Sequence, residues 1–283
     1  MKYFKTSDGL NLAYTDEGES AGPPLLCLPG LTRNGSDFED LASALGGRRR
    51  LIALTLRGRG ASDRDPEFLN YNVGIEGRDV LELLDHLGLG KVVIVGTSRG
   101  GLIAMLLAAV AKDRLAGVLL NDIGPEIAGD GLSRIMVYLG VAPNARDFEA
   151  AAGALKATLS AQFPDVTDAR WLASARRWFE MGPEGLRLNY DPKLRDAVVA
   201  VSAQPAPDMW PLFDALEGLP VAVLRGVNSD LLSAATVAAM LARRPDLIVA
   251  EVPNRGHVPF LDEPESLAAL DALLVRVDSA AST

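Results

Sequence analysis

One serine of the sequence stands in a pattern that is typical of catalytic nucleophiles. Residues 96–100 read Gly-Thr-Ser-Arg-Gly, which matches the pattern Gly-x-Ser-x-Gly. The apolar run 92–95 precedes it and a helical pattern follows from Gly101, so we expect a tight turn from a strand to a helix. Flanking glycines let such a turn approach its neighbours without a Cβ clash, while the hydroxyl projects above the sheet. Ser98 is therefore the candidate nucleophile for acyl transfer.

A serine hydroxyl needs a general base, and the sequence offers two histidines. His86 lies near the C-terminal end of a predicted helix, where the helix dipole favours an imidazole in a structural role. His257 follows the predicted strand at 247–252 and so belongs at the same edge of the sheet as Ser98. We predict that His257 is the base.

A carboxylate is needed to hold the histidine in one tautomer and to stabilise the imidazolium. Asp230 follows the predicted strand at 221–224 and is the favoured candidate for this acid. Asp122 follows the predicted strand at 118–120 and is its competitor; its alternative role is to hold the start of the next segment. With Asp230, the chain order of the three residues is Ser, Asp, His.

The tetrahedral intermediate of acyl transfer also requires donors for its oxyanion. The backbone N–H of Arg99, in the first turn of the helix after Ser98, is one candidate. The backbone N–H of Leu31 is the other, since Gly30 permits a turn after the early apolar run 25–28. For the Arg99 side chain two interpretations remain. It is either solvated or paired with a carboxylate, or it contacts an anionic group of the substrate.

Apolar runs alternate with helical patterns over most of the chain, and each run is as short as a strand covered on both faces. This alternation predicts an α/β fold with a doubly wound, mostly parallel sheet, preceded by a hairpin within residues 1–17. The strand-like runs are at 25–28, 51–54, 92–95, 118–120, 221–224 and 247–252, and the helical patterns are at 38–45, 75–87, 101–112, 234–242 and 265–275.

The strand signal is absent between Ile123 and Leu219, where helices are predicted at 132–139, 147–162 and 167–181. We predict a helical cap over residues 123–219, inserted into a core domain of residues 1–122 and 220–283. Such a cap would cover the carboxyl ends of the strands, where open α/β sheets place their sites. Of its tryptophans, Trp178 and Trp210 are expected to line an apolar substrate pocket. The turn at 188–192 is either a hinge or a part of that pocket.

The composition excludes several classes of function. The 283 residues have a net charge of −9, and nucleic-acid binding needs a basic face. The single cysteine, Cys27, permits neither an internal disulfide nor a cysteine metal cluster, and no metal or cofactor site is predicted. The N-terminus lacks the apolar segment of a signal peptide, and no apolar stretch is long enough for a bilayer. We expect a cytoplasmic monomer or homodimer that acts on a small molecule, without nucleic acid or membrane.

These motifs make the chain resemble the α/β-hydrolase superfamily, in its capped branch of esterases, lactonases and epoxide-hydrolase-like enzymes. The resemblance rests on the elbow at Ser98, on Pro-Gly-Leu at 29–31, on Arg-Gly-Arg-Gly-Ala-Ser at 57–62, on residues 226–230, and on Gly-His at 256–257 followed by Asp-Glu-Pro-Glu at 262–265. Two positions depart from it: Pro29 replaces the usual histidine before the oxyanion loop, and Thr55 replaces an aspartate. The resemblance implies hydrolysis through a serine. A serine nucleophile disfavours dehalogenation and epoxide opening, which need a carboxylate.

We therefore expect a serine hydrolase that cleaves a small, mostly apolar ester, thioester or lactone through an acyl-enzyme. A carbon–carbon bond hydrolase of aromatic ring-cleavage products would use the same three residues and is the alternative within the fold. A ligand receptor without turnover is the alternative from another class.

Overall fold

The computed structural model describes residues 1–19, 22–203 and 207–281, and the elements named here lie within them. The strands are β1 (Lys2–Lys5), β2 (Asn11–Glu17), β3 (Leu25–Leu28), β4 (Leu51–Leu54), β5 (Val92–Thr97), β6 (Leu115–Asn121), β7 (Phe179–Gly182), β8 (Gly185–Leu188), β9 (Val221–Gly226) and β10 (Ile248–Val252). The helices are α1 (Glu39–Leu45), α2 (Val73–His86), α3 (Arg99–Val110), α4 (Gly129–Tyr138), α5 (Phe148–Leu159), α6 (Asp168–Trp178), α7 (Leu194–Ser202), α8 (Trp210–Asp214), α9 (Ala234–Arg243) and α10 (Pro264–Ala281).

Eight of these strands form the central sheet, in the order β1-β2-β4-β3-β5-β6-β9-β10. The β1–β2 and β2–β4 pairs are antiparallel, and the remaining pairs are parallel. The predicted doubly wound, mostly parallel sheet is thus confirmed. In the β5–β6 pair Thr97 lies opposite Asn121, so Ser98 and Asp122 leave the sheet from neighbouring strands at the same level.

The sheet is buried on both faces, which explains the unbroken apolar runs of its strands. Alternate residues of β3 point to opposite sides: Leu26 and Leu28 pack with α2 and α3, whereas Leu25 and Cys27 pack with α1 and α10. All four side chains are fully buried. The sheet is therefore held rigidly between two helical layers, and the residues that follow its strands have fixed positions.

Between β6 and β9 the chain forms α4 to α8 and a separate two-stranded sheet. The prediction of a helix over 167–181 is wrong at its end, because α6 stops at Trp178 and the chain continues into the β7–β8 hairpin. Phe179 pairs with Leu188, and residues 183 and 184 form the turn. Each strand has only four residues, too few for the alternation of buried and exposed side chains to show clearly.

The turn at 188–192 attaches the segment after β8 to the core. The backbone N–H of Asp191 donates to the carbonyl of Gly58 at 2.7 Å, and the N–H of Gly60 donates to the carbonyl of Asn189 at 2.8 Å. The hydroxyl of Tyr71 donates to the Asp191 carboxylate at 2.7 Å. These contacts make the turn a point of attachment to the core loop at 57–62.

Candidate active site

Ser98 occupies the strained turn that its sequence pattern predicts. Its backbone lies at φ 49° and ψ −110°, between the end of β5 and the start of α3. Gly96 and Gly100 are required on either side: a Cβ on Gly96 would lie 2.6 Å from the backbone of Gly100, and one on Gly100 would overlap the carbonyl of Leu28. The turn therefore presents the Ser98 side chain at the sheet edge. It can form only because positions 96 and 100 are glycines, since any other side chain there would clash with backbone.

Ser98, His257 and Asp122 form a continuous chain of hydrogen bonds. Nε2 of His257 lies 2.9 Å from Oγ of Ser98, and Nδ1 of the same ring lies 2.7 Å from Oδ2 of Asp122. The imidazole is thus placed between an alcohol and a carboxylate, at hydrogen-bond distance from both. This is the arrangement in which a histidine removes the serine proton while the carboxylate stabilises the resulting imidazolium.

The Asp122 carboxylate is fully buried and is held by two further donors. The backbone N–H of Gly226 donates to its Oδ1 at 2.8 Å, and the hydroxyl of Ser229 donates to its Oδ2 at 2.6 Å. Both donors belong to the end of β9 and the loop that follows it. They compensate the burial of the charge and fix the carboxylate relative to His257.

The prediction that Asp230 is the acid is wrong, and its competitor Asp122 takes the position. The Asp230 carboxylate instead accepts hydrogen bonds from Arg134 at 2.6 Å and Gln162 at 2.9 Å. The reason lies in the strand order: β6 lies directly beside β5, so Asp122 emerges next to Ser98, whereas β9 is one strand further away. From the loop after β9 it is Ser229, not Asp230, that reaches the site.

His86 lies away from these residues, as its assignment to a structural role implies. Its ring packs against Phe4 and Tyr14, with ring centroids 5.9 and 6.3 Å apart. The contacts place His86 beside the β1–β2 hairpin, at the opposite side of the sheet from β10.

The two predicted oxyanion donors lie on segments that adjoin Ser98. Arg99 is the first residue of α3, where a backbone N–H has no partner within the helix. Leu31 follows Gly30, and a Cβ on Gly30 would lie 3.9 Å from the Cβ of Ser98. The loop after β3 therefore runs along the nucleophile. It also carries Arg33, a residue that the sequence reasoning missed, although its position two residues after Leu31 could have drawn attention to it.

The side chain of Arg99 is bound by the core. Its Nε donates to Glu76 at 2.5 Å and its Nη2 donates to the carbonyl of Tyr71 at 3.0 Å. Glu76 also pairs with Arg59 at 2.7 Å. Burial alone would raise the pKa of the Glu76 carboxyl, but the two arginines lower it below its usual value. Of the two alternatives for Arg99, the structure shows the carboxylate pair, and the partner lies in α2.

A cavity of about 60 Å³ adjoins the ring of His257 and extends toward α6. Its aromatic lining includes Trp178, Phe163 and Phe260. Trp210, the other predicted pocket tryptophan, lies elsewhere: its Nε1 donates to Glu126 at 2.8 Å and its ring packs on Phe213. The prediction that Trp210 lines the pocket is therefore wrong for this cavity.

The cavity lining also contains cationic side chains, whereas the sequence predicts a mostly apolar pocket. Arg33, Arg170 and Arg177 all line it. Arg170 pairs with Asp262 at 2.7 Å, and Arg177 pairs with Asp40 at 2.5 Å. The guanidinium of Arg33 lies over the ring of Trp178, 3.1 Å from its centroid. Asp37 also lines the cavity, so aromatic, cationic and acidic side chains lie side by side.

Within residues 1–19, 22–203 and 207–281, no helix has both the length and the apolar character needed to cross a bilayer.

A family described as "Alpha/beta hydrolase family" matches the chain over residues 25–270. A relative from Cupriavidus necator, "3-hydroxybutyrate-oligomer hydrolase", is 39% identical over 267 residues, which cover 91% of this chain and 90% of the relative. A second relative, "2-(acetamidomethylene)succinate hydrolase" from Mesorhizobium japonicum, is 29% identical over 263 residues, or 92% of this chain and 90% of the relative.

Among solved structures, a crystal structure of an alpha/beta hydrolase from Novosphingobium aromaticivorans superposes on this chain with a TM-score of 0.91. The two sequences are 45% identical, and the match covers 97% of both chains.

Proposed function

Because the chain belongs to the alpha/beta hydrolase family, we propose that it is a serine hydrolase that cleaves a carboxylic ester through an acyl-enzyme. The observation that supports this most directly is the hydrogen-bonded chain from Ser98 through His257 to Asp122. A serine alone is a weak nucleophile, and this chain supplies the base and the orienting carboxylate that it needs.

In the acylation step, Oγ of Ser98 attacks the ester carbonyl carbon while Nε2 of His257 accepts the hydroxyl proton. The new C–O bond to the serine forms and the carbonyl oxygen becomes an oxyanion, for which we assign the backbone N–H groups of Leu31 and Arg99 as donors. The bond to the leaving alkoxide then breaks, and the imidazolium returns the proton to that oxygen. Asp122 stays ionised throughout and stabilises the positive charge on the ring.

In the deacylation step, the same groups act on water. His257 removes a proton from the water, whose oxygen attacks the acyl carbon, and the C–O bond to Ser98 breaks. The protonated ring restores the serine hydroxyl, and the carboxylic acid leaves. The overall reaction consumes one ester and one water and yields an alcohol and an acid.

For the substrate, we propose a short oligoester of a 3-hydroxy acid. The support is the relative named "3-hydroxybutyrate-oligomer hydrolase", which is 39% identical over nine-tenths of both chains. Thioesters and lactones react through the same acyl chemistry, so the same three residues would act on them.

The proposal is tested by comparing the wild-type protein with Ser98→Ala on p-nitrophenyl butyrate and on the linear dimer of 3-hydroxybutyrate. We expect the wild type to hydrolyse both and the variant to lose at least about 10⁴-fold in kcat, with an unchanged melting temperature. Equal rates for the two proteins would exclude Ser98 as the nucleophile. Hydrolysis of the aryl ester without any turnover of the dimer would retain the serine hydrolase and reject the oligoester.

A further inference from the structure

Two buried donors and one buried acceptor of the cavity lining have no hydrogen-bond partner among the described residues. The donors are Nη1 of Arg33 and Nε1 of Trp171, and the acceptor is Oδ1 of Asn121. The Nδ2 atom of the same asparagine is already bonded to Thr97 and to the carbonyl of Pro259. Native proteins leave few buried polar groups unsatisfied. Three such atoms around one cavity beside His257 therefore indicate a ligand of matching polarity.

Arg33 differs from the other arginines that line this cavity. Arg170 and Arg177 each pair with a carboxylate, whereas Arg33 forms no such ion pair among the residues described, and its electrostatic partner is Asp37. Its nearest acidic neighbour in sequence, Asp37, instead accepts a hydrogen bond from Nε1 of Trp178 at 3.3 Å. Burial raises the pKa of the Asp37 carboxyl, which moderates the negative charge that an incoming anion would meet.

The stem of Arg33 runs close to the nucleophile. A Cβ on Gly30 would lie 3.5 Å from Cγ of Arg33 and 3.9 Å from Cβ of Ser98, so the arginine and the serine flank the same glycine. Trp171, in α6, lines the same cavity and is 2% exposed. The guanidinium of Arg33 stacks on the ring of Trp178, a cation–π contact that favours this position of the side chain.

We propose that Arg33 and Trp171 form a carboxylate-binding subsite beside the triad, which selects esters whose leaving hydroxy acid carries a free carboxylate. Arginine suits this task because its planar fork matches a carboxylate, and an indole N–H adds a second donor. Oδ1 of Asn121 accepts from a hydroxyl group or from a water that accompanies the carboxylate. This inference rests on the proposed function and departs from the sequence-based expectation of a mostly apolar substrate.

The subsite has a consequence for oligoesters of 3-hydroxybutyrate. In the linear dimer, three bonds separate the carboxylate carbon from the ester oxygen, and the carboxylate lies on the alcohol side of the ester. Only the last ester of an oligomer combines a scissile carbonyl at Ser98 with a free carboxylate at that separation. The enzyme would thus release monomers from the carboxyl end of the chain.

The test compares the 3-hydroxybutyrate dimer with its methyl ester, in which a neutral group replaces the carboxylate, and follows cleavage of the internal ester alone by chromatography of the products. The measured quantity is the ratio of kcat/KM for the acid over kcat/KM for the methyl ester. We expect this ratio to fall by at least about 30-fold in Arg33→Gln, in line with loss of a charge-assisted hydrogen bond in a desolvated site. Arg33→Lys should recover part of it, and Trp171→Phe should lower it by about 5-fold.

Arg170→Gln is the matched control, since this arginine lines the same cavity but is already paired with Asp262. Its ratio should remain within about 3-fold of the wild type. If Arg33→Gln leaves the ratio unchanged while the wild type hydrolyses both esters, the subsite is wrong and the proposed function stands. If neither ester is hydrolysed, the oligoester function fails, and the subsite is judged by binding alone.

Calorimetric titration of 3-hydroxybutyrate into the wild type and Arg33→Gln provides that binding measurement without turnover. We expect an affinity at least about 10-fold weaker for the variant, and no comparable difference for 3-hydroxybutyramide, a neutral analogue without an ester bond. Equal affinities, or no binding of 3-hydroxybutyrate to the wild type at millimolar concentration, would overturn the subsite. Melting temperatures of all variants establish that each one is folded.

Discussion

The Asp122 carboxylate lies 2.7 Å from Nδ1 of His257, although 135 residues separate the two in sequence. The contact spans the sheet edge from the end of β6 to the loop after β10, across β9. It is reinforced from β9 itself, whose last residue, Gly226, donates its N–H to the same carboxylate. The proposed acid therefore follows the strand beside Ser98, and β9, which lies between β6 and β10, holds its carboxylate in place.

Asp122→Asn should lower kcat on p-nitrophenyl butyrate by about 10⁴-fold, because an asparagine favours the wrong tautomer of His257. Asp230→Asn is the matched substitution one strand away, and we expect its kcat to stay within about 3-fold of the wild type because its partners are Arg134 and Gln162. Steady-state kinetics on both variants shows whether Asp122 or Asp230 is the acid. A large loss in Asp230→Asn with little change in Asp122→Asn would reverse the assignment of the acid.

Gly100→Ala should destabilise the protein and displace the elbow, since the added methyl group would overlap the carbonyl of Leu28. We expect a loss of about 3 kcal/mol in the free energy of unfolding, at the upper end of the usual range for overpacking, because the clash is with backbone. Gly90→Ala is the control, because a Cβ there meets open space. Urea denaturation measures both, and similar midpoints for the two variants would contradict the packing argument.

Asp8 should contribute to stability at neutral pH and lose that contribution in acid. Partial burial alone would raise the pKa of its carboxyl, but hydrogen bonds from Thr6 and from two arginines lower it to about 2. Because the pKa of Asp8 is lower in the folded than in the unfolded state, its carboxylate stabilises the folded protein at a pH above the unfolded pKa. This stabilisation disappears as the pH falls from about 4 to 2. Because the side chain is partly exposed, we expect only about 1 kcal/mol between wild type and Asp8→Asn at pH 6.

The measurement is denaturant unfolding of the wild type and of Asp8→Asn at pH values from 2 to 6. The difference between the two proteins should shrink toward zero at the acid end, and a difference that is constant over this range would contradict the ionic origin. Asp113→Asn, a change at an exposed aspartate in the turn before β6, should show no comparable dependence on pH.

Cys27 should be inert in the folded protein. Its thiol is fully buried in β3, and burial raises its pKa, so that little of the reactive thiolate forms. We expect no labelling by a thiol-specific disulfide reagent at pH 8 under native conditions, and one label per chain in guanidinium chloride. Rapid stoichiometric labelling of the native protein would show that β3 is accessible.

The fold could be predicted from the sequence because both sheet faces are covered. Such strands appear as short apolar runs, and the turn at Ser98 depends on glycines next to it in sequence. The β7–β8 hairpin escaped prediction because its strands have four residues each and follow directly on α6. Local pattern is informative where an element is long and buried, and weak where it is short.

The acid could not be chosen from the sequence because the choice depends on strand order. Asp122 and Asp230 both follow apolar strands, and only the placement of β6 beside β5 separates them. Arg33 escaped notice for a related reason. Its proposed role rests on a buried Nη1 atom without a hydrogen bond, and the surroundings of this atom are set by residues of α6 that are distant in the chain.

Tyr71 connects two parts of the molecule through hydrogen bonds at its side-chain hydroxyl and at its backbone carbonyl. Its hydroxyl donates to Asp191, in the turn that attaches the inserted segment, and its carbonyl accepts from Arg99, the residue that follows the nucleophile. A change at Tyr71 would therefore disturb α3, which begins directly after Ser98. Changes that aim at a different substrate range belong instead in α5 and α6, whose side chains line the cavity beside His257.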